Sequence, residues 1–200
     1  QDNNQATMTP AELFIPVLLA AMGEELDTNV MLPVGYKQVY GIDVVDREIV
    51  RNNYGDVVDC LELRRALEVA SHVAFVHLAD SVLGNRRTYL LNQVREMLPG
   101  SVLPNDLDND SVFVHFCLGN NIQCTLDALL HFYQLHVYAT SIQEIMPANG
   151  LTSLVRFPGG SVESAHVGFA KNTIALVILK RSRTNAIKRV EQLWNDIFVE

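Results

Sequence analysis

The sequence predicts one mostly α-helical globular domain with minor β elements, with α+β as the alternative. Three observations carry this. Apolar residues recur at three- and four-residue spacing through several long stretches. Hydrophobic residues make up 48% of 200 positions against 19% charged, enough apolar side chain for one good core. The strand-like runs are short and broken by glycine or proline.

Taking the elements in order, residues 1–8 read as a polar, disordered lead-in and 9–200 as the globular unit. The chain opens on Gln1, as expected of an excised or processed piece. Thr9-Pro10-Ala11-Glu12 is a capping box with proline at the first helical position. Leu13, Phe14, Val17, Leu18 and Ala21 then share a helix face, and Pro16 predicts a kink or split within it. Residues 28–57 are rich in β-branched and aromatic side chains and interrupted by Gly35 and Gly41, which predicts one or two short strands or extended loops. Asp59 and Glu62 mark a helix start. Leu63, Leu67, Ala70, Val73, Ala74 and His77 predict one helix from Cys60 to about Val82, ended by Gly84-Asn85.

A further helix places Tyr89, Leu90, Val94, Met97 and Leu98 inward and stops at Pro99-Gly100. The polar stretch 100–110 is the best sub-boundary inside the domain. Ser111–Leu118 fits a buried strand or a helix start, since periodicity does not choose. Ile122, Leu126, Leu129, Leu130, Tyr133 and Val137 give a helix running to near Met146. Phe157-Pro158-Gly159-Gly160-Ser161 is a turn. Thr173–Leu179 reads as a central strand or as a buried helix with Val162, Ala165, Phe169, Leu176 and Leu179 on one side. Ile187, Val190, Leu193, Trp194, Ile197 and Phe198 form the stripe of a final helix.

The net charge is -8, yet residues 171–190 carry six Lys/Arg and no acid. Three cysteines, Cys60, Cys117 and Cys124, with apolar neighbours fit reduced, buried thiols, so a cytoplasmic or other reducing compartment is expected. No apolar run reaches the roughly 18 residues of a membrane span, and no membrane partner is expected.

The search for chemistry finds little. His115, Cys117, Cys124, His131 and His136 cluster in sequence, but without the Cys-x₂₋₄-Cys knuckle that starts most zinc sites, so they read as structural. Asp106, Asp108 and Asp110 alternate like half a calcium loop, but Ser111 and Cys117 stand where its glycine and bidentate glutamate belong. Asn109-Asp110-Ser111 is a formal glycosylation sequon. Pro158-Gly159-Gly160-Ser161 lacks either phosphate-loop spacing. No catalytic residue, metal or cofactor is expected.

Cationic side chains are the remaining candidates for a site. Arg64, Arg65, Arg86 and Arg87, with Arg47, Arg51 and Arg95 nearby, suit forked contacts to phosphate or carboxylate, although neighbouring acids offer internal partners. Lys180, Arg181, Arg183, Lys188 and Arg189 fall at or before the first turns of the final helix. The helix dipole disfavours cations there, while the free N–H groups attract anions. These features lead to an expectation of a non-enzymatic, coat- or nucleocapsid-like assembly protein. It would form homo-oligomers and bind nucleic acid through phosphate contacts. The alternative is a small intracellular enzyme using the Cys/His region 115–136.

Overall fold

A computed structural model describes residues 11–136, 145, 146, 150–156, 162–170, 173–182, 188, 192 and 196. Helix α1 (Ala11–Met22) continues through Pro16 without interruption. Leu13, Phe14, Ile15, Val17, Leu18 and Leu19 are all buried, so this helix is covered on every side rather than along one stripe. Burial of each such side chain contributes up to about 1.5–3 kcal/mol. Pro16 cannot donate the usual backbone bond. One residue-turn away, the Leu13 carbonyl takes a hydrogen bond from the buried Tyr133 hydroxyl at 2.8 Å.

A 3₁₀ turn (Gly23–Glu25) follows, and then three short strands: β1 (Met31–Pro33), β2 (Tyr36–Val39) and β3 (Ile42–Val45). Strands β2 and β3 form a hairpin whose two turn residues, Tyr40 and Gly41, have φ of 51° and 77°. Positive φ at both positions gives the primed turn that matches strand twist. Glycine adopts it freely and tyrosine does not, so Tyr40 is held there by its contacts.

The single helix expected from Cys60 to Val82 is three elements. Cys60–Glu62 is strand β4, antiparallel to β1 with Leu61 opposite Leu32. Leu63–Glu68 is a short helix, α2. Ala70 then turns the chain with φ 50°, and Ser71 caps a new helix, α3 (His72–Leu83). Periodicity alone could not reveal this break, because both helices are apolar on the side that faces the core.

Helix α4 (Arg87–Met97) buries Leu90, Leu91, Val94 and Met97, while Tyr89 points outward against expectation. Asp110–Cys117 is a helix, α5, capped by the Asn109 side chain on the Ser111 and Val112 amides. Helix α6 is Leu126–His136. Thr173–Leu179 lies in a strand. Strands β5 (Leu151–Arg156), β6 (Val162–Ala170) and β7 (Thr173–Ser182) form an antiparallel sheet in that order, with an irregularity between Val162 and Ser164. Helix α1 is the hub, packed against α3, α4, α5, β5 and β6. One core runs from Leu13 to Val167. Helix predominates among the described residues, but with three sheets the mostly-α expectation holds only in part, and the α+β alternative fits. The 1–8 lead-in, the 158–161 turn and the apolar stripe of the final helix lie outside the described residues.

Candidate functional site around helix α3

Helix α3 collects a polar network. Ser71 is buried among apolar side chains, 2% exposed. Its hydroxyl donates to Asp46 Oδ2 at 2.7 Å and accepts from the Ala74 amide at 3.1 Å. Asp46 also accepts from the Val73 amide at 3.0 Å and the Gly35 amide at 2.7 Å. Two free N–H groups of the α3 N-terminus and a loop amide are thereby satisfied by one carboxylate and one hydroxyl. The preceding Ala70 sits in left-handed backbone, which costs a non-glycine residue on the order of 1–2 kcal/mol. Sequence reasoning passed over Ser71 because it lies inside an apolar periodic run. Its signal was Ser71 three residues ahead of Ala74 at an N-cap spacing.

Two turns along α3, His77 meets Lys37 of β2, Nδ1 to Nζ at 2.7 Å. Burial, then the neighbouring Lys37 charge, hold the imidazole below its ordinary pKa, and Asp80 opposes them. Asp80 Oδ1 accepts the Tyr40 hydroxyl at 2.6 Å, and this bond holds the phenol above its ordinary pKa. The Tyr40 ring meets Phe113 edge-on, and the Arg87 guanidinium lies 5.0 Å from Tyr40 and 4.4 Å from Phe113.

The arginine candidates are engaged within the chain. Arg64 and Arg65 both face Glu68, Arg64 at 3.9 Å. Arg86 pairs with Glu25 at 2.7 Å and stacks on Tyr89. Arg87 pairs with Asp110 at 2.8 Å and donates to the Gly84, Leu107 and Asp108 carbonyls. Arg51 and Arg95 donate to backbone carbonyls as well. A cavity of about 300 Å³ opens beside Gly84, Asn85, Arg86, Arg87, Thr88 and Asp108. Lys180 and Arg181 belong to the backbone of strand β7, not to a helix lead-in. Lys188 is helical and exposed, as are Gln192 and Asp196 at the same four-residue spacing, which places one polar helix face outward. Arg183 and Arg189 lie outside the described residues.

The Cys/His region does not converge. Cys117 and Cys124 are buried while His115 and His131 are exposed, because a helix turns i and i+2 to different sides where a strand would align them. Burial raises the Cys117 thiol well above its ordinary pKa and that of Cys124 to about 11, so both are neutral and poor nucleophiles. Among the described residues, no three His, Cys, Asp or Glu side chains gather as metal ligands. No described helix is long and apolar enough to cross a membrane.

No protein-family model matches the sequence, and a search of curated proteins finds no match. Solved structures do match. Penicillin-binding protein PBP2 of Pseudomonas aeruginosa, in complex with WCK 5153, superposes at TM-score 0.64 and 12% identity, covering 100% of this chain and 63% of that one. Penicillin-binding protein A of M. tuberculosis, a ceftriaxone acyl-enzyme complex, gives 0.60 at 11%, covering 87% and 55%. PonA1 of Mycobacterium tuberculosis, in complex with penicillin V, gives 0.57 at 10%, covering 89% and 61%. The chain therefore has the fold found in penicillin-binding proteins and spans less than two thirds of the length of each of these three. This overturns the expectation of a self-assembling, RNA-coating, coat-like protein. Arg64, Arg65, Arg86 and Arg87, expected to suit anionic contacts, find acids of their own chain.

Proposed function

We propose that this chain is a non-acylating form of the penicillin-binding-protein fold, a module that engages β-lactam-like amide ligands reversibly and forms no acyl-serine. The fold resemblance supplies the ligand class. The observation that carries the absence of chemistry is the sequence itself. Acylation in this class of proteins relies on an S-x-x-K serine with S-D-N and K-T-G partners. The chain has four lysines, Lys37, Lys171, Lys180 and Lys188, and the residues three positions earlier are Val34, Gly168, Val177 and Asn185. None is serine. No lysine is followed by Thr-Gly, and no serine by Asp-Asn.

The elements that meet around the hub helix carry the same message. Helix α1 (Ala11–Met22) contains neither serine nor lysine. Helix α3 opens on Ala70-Ser71-His72, and strand β5 reads Leu-Thr-Ser-Leu-Val-Arg. Ser71 does not substitute as the nucleophile. Its hydroxyl is buried and committed to Asp46, whose oxygens are already occupied by the Ser71 hydroxyl and the Gly35 and Val73 amides. A serine needs an available base to attack.

Ligand-observed NMR tests the binding half of this reading. Penicillin V at millimolar concentration should show saturation transfer from the protein, and the signal should vanish after buffer exchange. Absence of any transfer at millimolar ligand would remove the binding role.

A further inference from the structure

The β2–β3 hairpin is fastened to α3 at three points. Asp46, just after β3, holds Ser71 and Val73 at the helix start. Lys37 on β2 donates to His77 at 2.7 Å, and Tyr40 in the turn donates to Asp80 at 2.6 Å. The last two are neighbours, because His77 and Asp80 are three residues apart on one helix face. The turn keeps Tyr40 at φ 51°, a conformation an unsupported tyrosine would leave.

We propose that the Lys37–His77 contact is the acid-releasable tether of this hairpin, opening by exchange of partners. Once protonated, His77 no longer accepts from Lys37, turns to Asp80, and draws that carboxylate away from Tyr40. Two cations at 2.7 Å repel, whereas an imidazolium three residues from a carboxylate on a helix is attracted. The freed Tyr40 then loses the bond that holds its left-handed backbone, along with its place between Phe113 and Arg87. One protonation thus loosens the hairpin tip from α3, α4 and α5 together.

The charges surrounding His77 support the exchange. Lys37 from β2 and Asp80 from α3 are the groups whose charge acts on it. Of the other elements packed on α3, β3 offers Asp43, which already accepts from Tyr36 and Gln38. Helix α4 offers Arg87, paired with Asp110 of α5, and α5 also carries buried Cys117 and exposed His115. Strand β1 brings no titratable side chain, and Glu12 is the one ionisable residue of α1. The direction follows by linkage. His77 titrates lower folded than unfolded, so the unfolded form takes up more protons. The contribution to stability is complete above about pH 6.5 and is lost as pH falls below it.

Amide hydrogen exchange of residues 36–45, corrected for the intrinsic rate, tests the device at pH 7.5 and pH 5.0. Protection of the hairpin in the wild-type protein should fall at the lower pH, as His77 takes up its proton. His77→Gln keeps an acceptor for Lys37 but does not titrate, so its protection should be equal at both pH values. Equal protection of the wild type at both pH values, or the same loss in His77→Gln, overturns the proposal. Should His77→Gln fail to fold, NMR of the wild type decides: the Tyr40 ring resonances must titrate with the midpoint of the His77 imidazole, and independent midpoints overturn it.

Discussion

Arg87 is the side chain whose loss should cost the fold most for its size. Its guanidinium is 14% exposed and reaches three separated segments. Nε donates to the Gly84 carbonyl at 3.1 Å, Nη1 to Leu107 and Asp108 at 3.2 Å each, and Nη2 meets Asp110 at 2.8 Å. The Tyr40 and Phe113 rings lie within 5.0 Å. Asp110 is half exposed, so its pairing is screened and adds at most about 1 kcal/mol. The larger part is the set of carbonyls left without their donor, at about 1 kcal/mol each when only partly rehydrated. The cation–π contacts add roughly another 1. Arg87→Ala should therefore destabilise by about 4 kcal/mol and lower Tm by about 10 °C in a chain of this size. Arg87→Lys keeps the charge but not the fork, and should cost about half as much. Urea unfolding followed by circular dichroism measures both. Asp110→Asn should cost less than about 1 kcal/mol. If Arg87→Ala stays within 1 kcal/mol of the wild type, or Asp110→Asn matches it, the carbonyl-centred assignment is wrong.

Other outcomes follow from single positions. Gly150 has φ 78°, and a Cβ there would lie 1.9 Å from the Val167 carbonyl oxygen, so Gly150→Ala should lower Tm by several degrees or prevent folding. A wild-type melting curve for that variant would place the β5–β6 junction incorrectly. Tyr133→Phe removes the buried hydroxyl from the Leu13 carbonyl and should cost about 1–3 kcal/mol in chemical denaturation; no measurable change refutes that bond. Cys60 is exposed while Cys117 and Cys124 are buried, so a thiol reagent should titrate one fast group in the native protein and three after denaturation.

Much of the helical framework was legible in the sequence, because strong apolar periodicity with a clear stop specifies a buried helix. The α1 and α4 patterns ended close to where the helices do. Failures came where periodicity is silent. The break between α2 and α3 rests on Ala70 adopting φ 50° and on Asp46, 25 residues away from Ser71 in sequence, completing the cap. The apolar run at 173–179 had no internal feature to favour strand over helix; its pairing with β6 decides it. Of the candidate site, the internal acid partners were foreseeable in kind but not in identity: Arg87 pairs with Asp110 and donates to the Gly84, Leu107 and Asp108 carbonyls. The pairing of Lys37 with His77 and of Tyr40 with Asp80 was not legible, since each joins residues 40 apart along the chain.

Intact-protein mass spectrometry after prolonged exposure to excess penicillin V tests the central claim most directly. A chain with the penicillin-binding-protein fold but with no serine three residues before a lysine should retain its native mass throughout. A stoichiometric gain of one penicillin, mapped by peptide digestion to a serine of this chain, would contradict the account, since it would require a nucleophile and base the sequence does not supply in that arrangement.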